Sequence, residues 1–173
     1  MKKMLILSVF IGIYIILGNI GEKEQIIPNE AIRMRVIPNS NGVNDQAIKE
    51  KVSEDLKYKI ASILENTKGV GDAREIIEKN LTEIDKSIKT LLKKENYKLG
   101  YNINFGYNYF PEKEFKGIIY DEGMYESVVV TIGEGKGDNW WCVLFPPFCL
   151  IEAEESTDIE YKWYIKELID KYL

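Results

Sequence analysis

Tyr101-Asn102-Ile103-Asn104-Phe105-Gly106-Tyr107-Asn108-Tyr109 alternates a large apolar or aromatic side chain with asparagine or glycine at every step. Successive side chains of a strand point to opposite faces, so this stretch predicts a strand with one packed and one wet face. Its neighbours decide the fold class. Upstream, the apolar residues recur at steps of three and four. Ile48, Val52, Leu56, Ile60, Ile63 and Leu64 line one predicted helix, capped by Asn44 and running to about Glu65. Gly69 to Gly71 interrupts it. Ile76, Ile77, Leu81, Ile84, Ile88, Leu91 and Leu92 line a second helix, for which Asp72 and Glu75 form a variant capping box.

Before these helices, Ile32, Met34 and Val36 alternate with Arg33 and Arg35, which predicts a half-buried strand with both arginines on its wet face. The turn residues Pro38 to Gly42 close it. Downstream of Tyr109, Ile118–Tyr120 and Met124–Ile132 predict a hairpin around Asp121-Glu122-Gly123. A glycine-rich loop and a short apolar segment follow. Thr157 and Glu160 then open a closing helix with the stripe Tyr161, Tyr164, Ile165, Leu168, Ile169 and Tyr172. Helices and strands are segregated along the chain. The expected class is therefore α+β: a single domain, its mostly antiparallel sheet packed against two or three helices.

The first residues read differently. Lys2 and Lys3 precede an uncharged apolar run from Met4 to Leu17, the arrangement of an export signal. Fourteen helical residues span about 21 Å, short of a hydrocarbon core of about 30 Å. No A-x-A cleavage triplet follows, so residues 1–21 are read as a signal peptide or a membrane anchor, with a membrane tether through residues 4–20 in the second case. The lysine pair stays cytoplasmic and the remainder faces outward. Residues 22–30, polar and containing Pro28, form a tether, and residues 31–173 form the folded domain.

Charge and composition narrow the function. The chain has 173 residues, with 23 Lys and Arg against 28 Asp and Glu, a net charge of −5. Removal of Lys2 and Lys3 with the leader would leave 21 against 28, or −7. An acidic domain repels phosphate backbones, which argues against nucleic acid as a partner. Histidine is absent from the chain. Ser-His-Asp and Cys-His catalysis in their usual forms, and imidazole metal sites, are excluded with it. No cofactor is implied.

Gly133-Glu134-Gly135-Lys136-Gly137-Asp138 resembles a phosphate loop only in composition: the spacing is wrong and no Lys-Ser/Thr pair follows. Glu122, Glu126, Glu134 and Asp138 lie close in sequence, but nothing fixes a separation between any two of them, as glycoside hydrolysis would need. They read as a solvated acidic rim.

The most unusual stretch is Asn139-Trp140-Trp141-Cys142-Val143-Leu144-Phe145-Pro146-Pro147-Phe148-Cys149. On a strand Trp140 and Trp141 face opposite ways, so one can anchor the core while the other points outward. Exposed aromatic surface beside rigid prolines has the character of an interface hot spot, and simple core packing is the competing reading. Cys142 and Cys149 are the only cysteines. In an exported chain such a pair suggests a disulfide, although strand-facing cysteines also pack as small apolar residues. With six residues between them, a redox-active role is not expected.

Three groups of residues together resemble the stage II sporulation protein R family. The first is Arg33-Met34-Arg35-Val36-Ile37-Pro38-Asn39-Ser40 with Asp45-Gln46, Lys49 and Lys51-Val52. The second is Tyr109-Phe110-Pro111. The third is Gly123-Met124-Tyr125-Glu126, leading through Val130 to Gly135 into Asn139–Cys149. The likeness covers about residues 31 to 151. Arg35 stands where that family often has histidine, Pro38 and Asn41 where alanine and aspartate are more frequent, and Phe148 where leucine is usual.

The resemblance implies a non-enzymatic signal made in the forespore of endospore-forming bacteria. It would be secreted into the space between the forespore and mother-cell membranes. There it would activate a membrane-embedded aspartic protease that processes the mother-cell sigma factor precursor. The expected partner-binding residues are Asn139, Trp140, Trp141, Phe145, Pro146, Pro147 and Phe148, with Arg33 and Arg35 next. The competing functions are an extracytoplasmic hydrolase and a carbohydrate- or cell-wall-binding module built on the tryptophans and the tyrosine strand.

Overall fold

A computed structural model describes residues 30–115, 117–150 and 158–172. The export segment and most of the tether lie outside these residues. In order, the elements are β1 (Ile32–Ile37), α1 (Val43–Leu64), α2 (Val70–Lys94), β2 (Tyr101–Phe110), β3 (Lys113–Phe115), β4 (Ile118–Tyr120), β5 (Gly123–Ile132), β6 (Trp140–Phe145) and α3 (Asp158–Tyr172), with a single 3-10 turn at Phe148–Leu150. The fold is α+β. Four strands form one sheet in the order β2-β5-β1-β6. β2 pairs antiparallel with β5, and β6 antiparallel with β1, while β1 and β5 run parallel.

One face of the sheet carries Ile32, Met34 and Val36 of β1 with Val128, Val130 and Ile132 of β5. Against it pack Val52, Leu56 and Ile60 of α1 and Ile77, Ile84 and Ile88 of α2. The helical stripes are those the sequence predicts, because apolar residues three and four apart share a helix face. The caps differ. Gly42 and Gly69 occupy the N-cap positions without side-chain hydrogen bonds, and Asn44 and Asp72 lie one and two residues inside their helices. Asp72 still suits the first turn, where the helix dipole favours negative charge.

The predicted hairpin between Ile118–Tyr120 and Met124–Ile132 is not formed. β4 pairs instead with β3 in a separate two-stranded ribbon, Lys113 opposite Tyr120. β5 is drawn into the main sheet, where Val128 and Val130 pack on the helix side and strands flank it on both edges. The wet-face reading of β1 also fails. β1 lies inside the sheet, and its second face is covered by a smaller cluster of Ala31, Ile118, Tyr120, Val143, Phe148 and Ile165. α3 thus closes the side opposite the two long helices, with Leu168 and Ile169 packed on that cluster. Thr157 lies outside the described residues.

β2 outruns the helical layer that covers its first half. Tyr101, Ile103 and Phe105 pack against the helical core, as the alternation predicts. After Gly106 the same face emerges into solvent: Tyr107 is 69% and Tyr109 54% exposed. Phe110, on the opposite face, is fully buried.

Candidate functional site

Two polar constructions stand out, one at the end of β1 and one across the second face of the sheet. The first is a clamp. Asn39 and Ser40 donate to Asp45 Oδ2 at 2.8 and 2.6 Å, and the Tyr97 hydroxyl donates to its Oδ1 at 2.6 Å. These donors, Ser40 foremost, hold the Asp45 carboxyl below its ordinary range, since hydrogen bonds to the charged form favour it. Burial and the bond to Asp45 push Tyr97 up to about 12. Around this knot the turn after β1 grips the loop after β5. Glu134 N–H donates to Asn39 Oδ1, Lys136 N–H to Asn39 O, and Gly137 N–H to Pro38 O. Gly133 and Gly135 have φ of 59° and 64°. A Cβ on Gly133 would lie 2.5 Å from Asn39 Oδ1, so glycine is required there by conformation and by space. The glycine-rich loop is therefore a structural latch.

The second construction joins residues far apart in sequence. From β1, Arg33 and Arg35 project to the face opposite the long helices. The Arg33 guanidinium carbon lies 3.3 Å from the ring centre of Tyr125, and Arg33 is only 1% exposed. Its Nε and Nη1 have no hydrogen-bond partner among the described residues. Burial lowers its pKa, because a low dielectric disfavours the charged form. Arg35 sits over Phe110 at 5.7 Å and is also lowered by burial. Its Nη1 donates to Tyr109 O at 3.1 Å. With the Asn139 amide oxygen turned toward it, Nη2 and Nε donate there at 2.7 and 3.1 Å. Trp141 completes the floor, 5.3 Å from Phe110 and 5.5 Å from Tyr120. Lys113 Nζ lies 5.3 Å from the Trp141 ring, its pKa lowered by burial and then by Lys49.

The predicted interface residues divide accordingly. Asn139, Trp141 and Arg35 gather on this face, partly exposed. Arg33 joins them but is buried rather than wet, because the cluster around Ile118, Tyr120 and Ile165 roofs this face of the sheet. Trp140 turns to the helical core with Cys142, so neither tryptophan is a free outward anchor: each packs, on opposite sides. Phe145, Pro146 and Phe148 are buried, and Pro147 is partly so. Phe145 stacks edge-on with Tyr172 at 5.4 Å. Cys142 and Cys149 are joined in a disulfide, Cα atoms 5.6 Å apart, which ties β6 to the 3-10 turn. Phe110, Tyr125 and Lys113 belong to the site and were not foreseen; the signal was a phenylalanine placed where the β2 alternation calls for a polar residue.

The four acids do not converge. Glu126 is buried under Arg74 in a two-point ion pair at 2.5 and 2.8 Å. Glu122 accepts from the Tyr109 hydroxyl, Glu134 pairs with Lys136, and Asp138 N–H donates to Asn41.

A family model described as stage II sporulation protein R matches residues 28–155. The chain belongs to the stage II sporulation protein R family. It is 31% identical, over 171 residues, to the stage II sporulation protein R of Bacillus subtilis strain 168, covering 92% of this chain and 76% of that protein. No solved structure matches it. Membership assigns it to sporulation. Several of the residues quoted above for the resemblance fall onto the two constructions described. Asn39, Ser40, Asp45, Gln46 and Gly135 serve the clamp, and Arg33, Arg35, Phe110, Tyr125, Asn139 and Trp141 make the second face. Among the described residues no helix is long and apolar enough to cross a membrane.

Proposed function

We propose that this chain is an exported, non-enzymatic signal of the forespore, which enters the space between the forespore and mother-cell membranes. There it switches on a membrane-embedded aspartic protease that matures the mother-cell sigma factor precursor. The observation that carries the reading is convergence: residues from all three groups that carry the resemblance meet on one sheet face around Arg35, Phe110, Tyr125 and Trp141. A core needs no such meeting of guanidinium groups, an asparagine and aromatic rings, whereas interfaces favour arginine, tyrosine and tryptophan. Glu122, Glu126 and Glu134 are each engaged by a different side chain, which supports action by binding rather than by an acid–base pair.

The test is reconstitution in a bacterial host that does not form spores. Chain, cognate protease and sigma factor precursor are produced together, and precursor conversion is followed by immunoblot. Conversion should require the chain and its export. Conversion without it, or with a form retained in the cytoplasm, overturns the reading. So does loss of conversion in Glu122→Gln or Asp138→Asn while protease binding persists.

A further inference from the structure

The second face of the sheet gathers three cations, Arg33, Arg35 and Lys113, with Asp121 close enough to act on Arg33 and Glu122 bonded to Tyr109. Arg33, Arg35 and Lys113, like several lysines elsewhere on the surface, form no salt bridge among the described residues. A guanidinium has five N–H donors. Three of those of Arg35 are engaged by Tyr109 O and Asn139, which leaves one on each terminal nitrogen without a partner among the described residues. Two adjacent N–H groups on a planar fork match the two oxygens of a carboxylate. Asn139 and Tyr109 O hold that fork in place, so little freedom is lost on binding. Behind it lies Arg33, a buried cation with two orphaned donors. The face of the Tyr125 ring and, at longer range, Asp121 offset part of its charge. Beside the fork, Lys113 is exposed at the rim, over the Trp141 ring.

We infer that Arg35 and Lys113, on the floor of Phe110 and Trp141, receive the carboxylates of an acidic, extended segment of the partner protein. The inference rests on the proposed signalling role and supplies the chemistry of its docking surface. Charge complementarity selects the occupant: two cations at the mouth and a third behind them attract negative charge, and the planar fork prefers carboxylate. The net charge of −5 over the whole chain disfavours an anionic membrane surface.

The experiment uses the full chain, with the indole N–H signal of Trp141 followed by NMR and assigned through Trp141→Phe. The probes are a blocked peptide alternating glutamate and serine, its glutamine counterpart, inorganic phosphate, and phosphatidylglycerol vesicles. The glutamate peptide should shift the Trp141 signal saturably and the glutamine peptide should not. Arg35→Gln should weaken binding at least tenfold. Lys113→Gln should weaken it severalfold, and because Lys113 is exposed that loss cannot be ascribed to unfolding. Equal binding of the two peptides, saturation by phosphate alone, binding to vesicles only, or unchanged affinity in Lys113→Gln each overturns the inference. Precursor conversion separates the two readings. If Arg35→Gln and Lys113→Gln lose the peptide yet convert precursor normally, the docking chemistry is wrong and the signalling role stands. If the unaltered chain binds the peptide but never promotes conversion, the signalling role fails by itself.

Discussion

The two faces of the one sheet are built on different principles. Toward the long helices the side chains are aliphatic and dry: Met34, Val36, Val128, Val130 and Ile132 meet Leu56, Ile60, Ile84 and Ile88. Toward α3 they are aromatic and cationic, with a buried guanidinium and half-covered rings. The first arrangement maximises apolar burial, the main source of stability. The second keeps polar groups in a low dielectric, which stability alone does not ask for. One face holds the protein together and the other is free to be specialised.

Changes on the two faces should therefore separate. The largest effect is expected for Leu56→Ala on the helix side. Leu56 is fully buried, so its loss should cost about 2–5 kcal/mol in denaturant unfolding, cavity included. A cost below about 1 kcal/mol would mean that the helical face is not the main store of stability. Next is reduction of the Cys142–Cys149 bond, or its replacement by two serines. Closing so short a loop contributes about 2 kcal/mol through the unfolded chain. The Tm of the reduced form should fall accordingly, and an unchanged Tm would show that the disulfide only decorates the turn.

A smaller effect concerns the clamp and changes sign at the two ends of the pH scale. Asp45 is depressed in the fold, so its contribution is present above its unfolded pKa and lost as pH falls through the folded value, below about pH 4. Tyr97 is raised to about 12, so its contribution is present below its unfolded pKa and lost as pH rises toward that value. Asp45→Asn should flatten the acid limb of the stability profile, and Tyr97→Phe the alkaline one. Profiles parallel to that of the unaltered chain would remove the knot from any role in pH stability.

The smallest effect is expected for Arg33→Met. An apolar residue of similar length removes two orphaned donors and a buried charge, so stability should be unchanged within about 1 kcal/mol or should rise. A loss as large as that of Leu56→Ala would show that both faces serve stability alike.

Much of this was legible in the sequence, for identifiable reasons. The helical stripes, the alternation of β2 up to Phe105 and the α+β class all follow from periodicity, which is local. The pairing of β5 with β1 is not local, and a three-residue strand such as Ile118–Tyr120 gives no sign of which neighbour it will take. The arginines were recognised as residues of interest but placed in water. A strand's alternation shows which residues share a face and not whether that face is later roofed. Alternation places Trp140 and Trp141 on opposite sides, and both sides are covered, because α3 packs on the sheet in a way that has no signature in β6 itself.

The position of β1 bears on how the chain can be delivered. It is the first strand of the domain in sequence, yet its two neighbours in the sheet are the last long strands to be made, with Arg33 paired to Ser127 on one side and to Val143 on the other. A chain threaded through a translocation pore from its amino terminus would present β1 early and keep it waiting. Closure of the sheet demands contacts of high sequence separation, which form slowly. For a chain exported as proposed, this topology would postpone folding until β6, the tryptophan-bearing strand, has emerged, keeping the polypeptide pliable in transit and compact only after arrival.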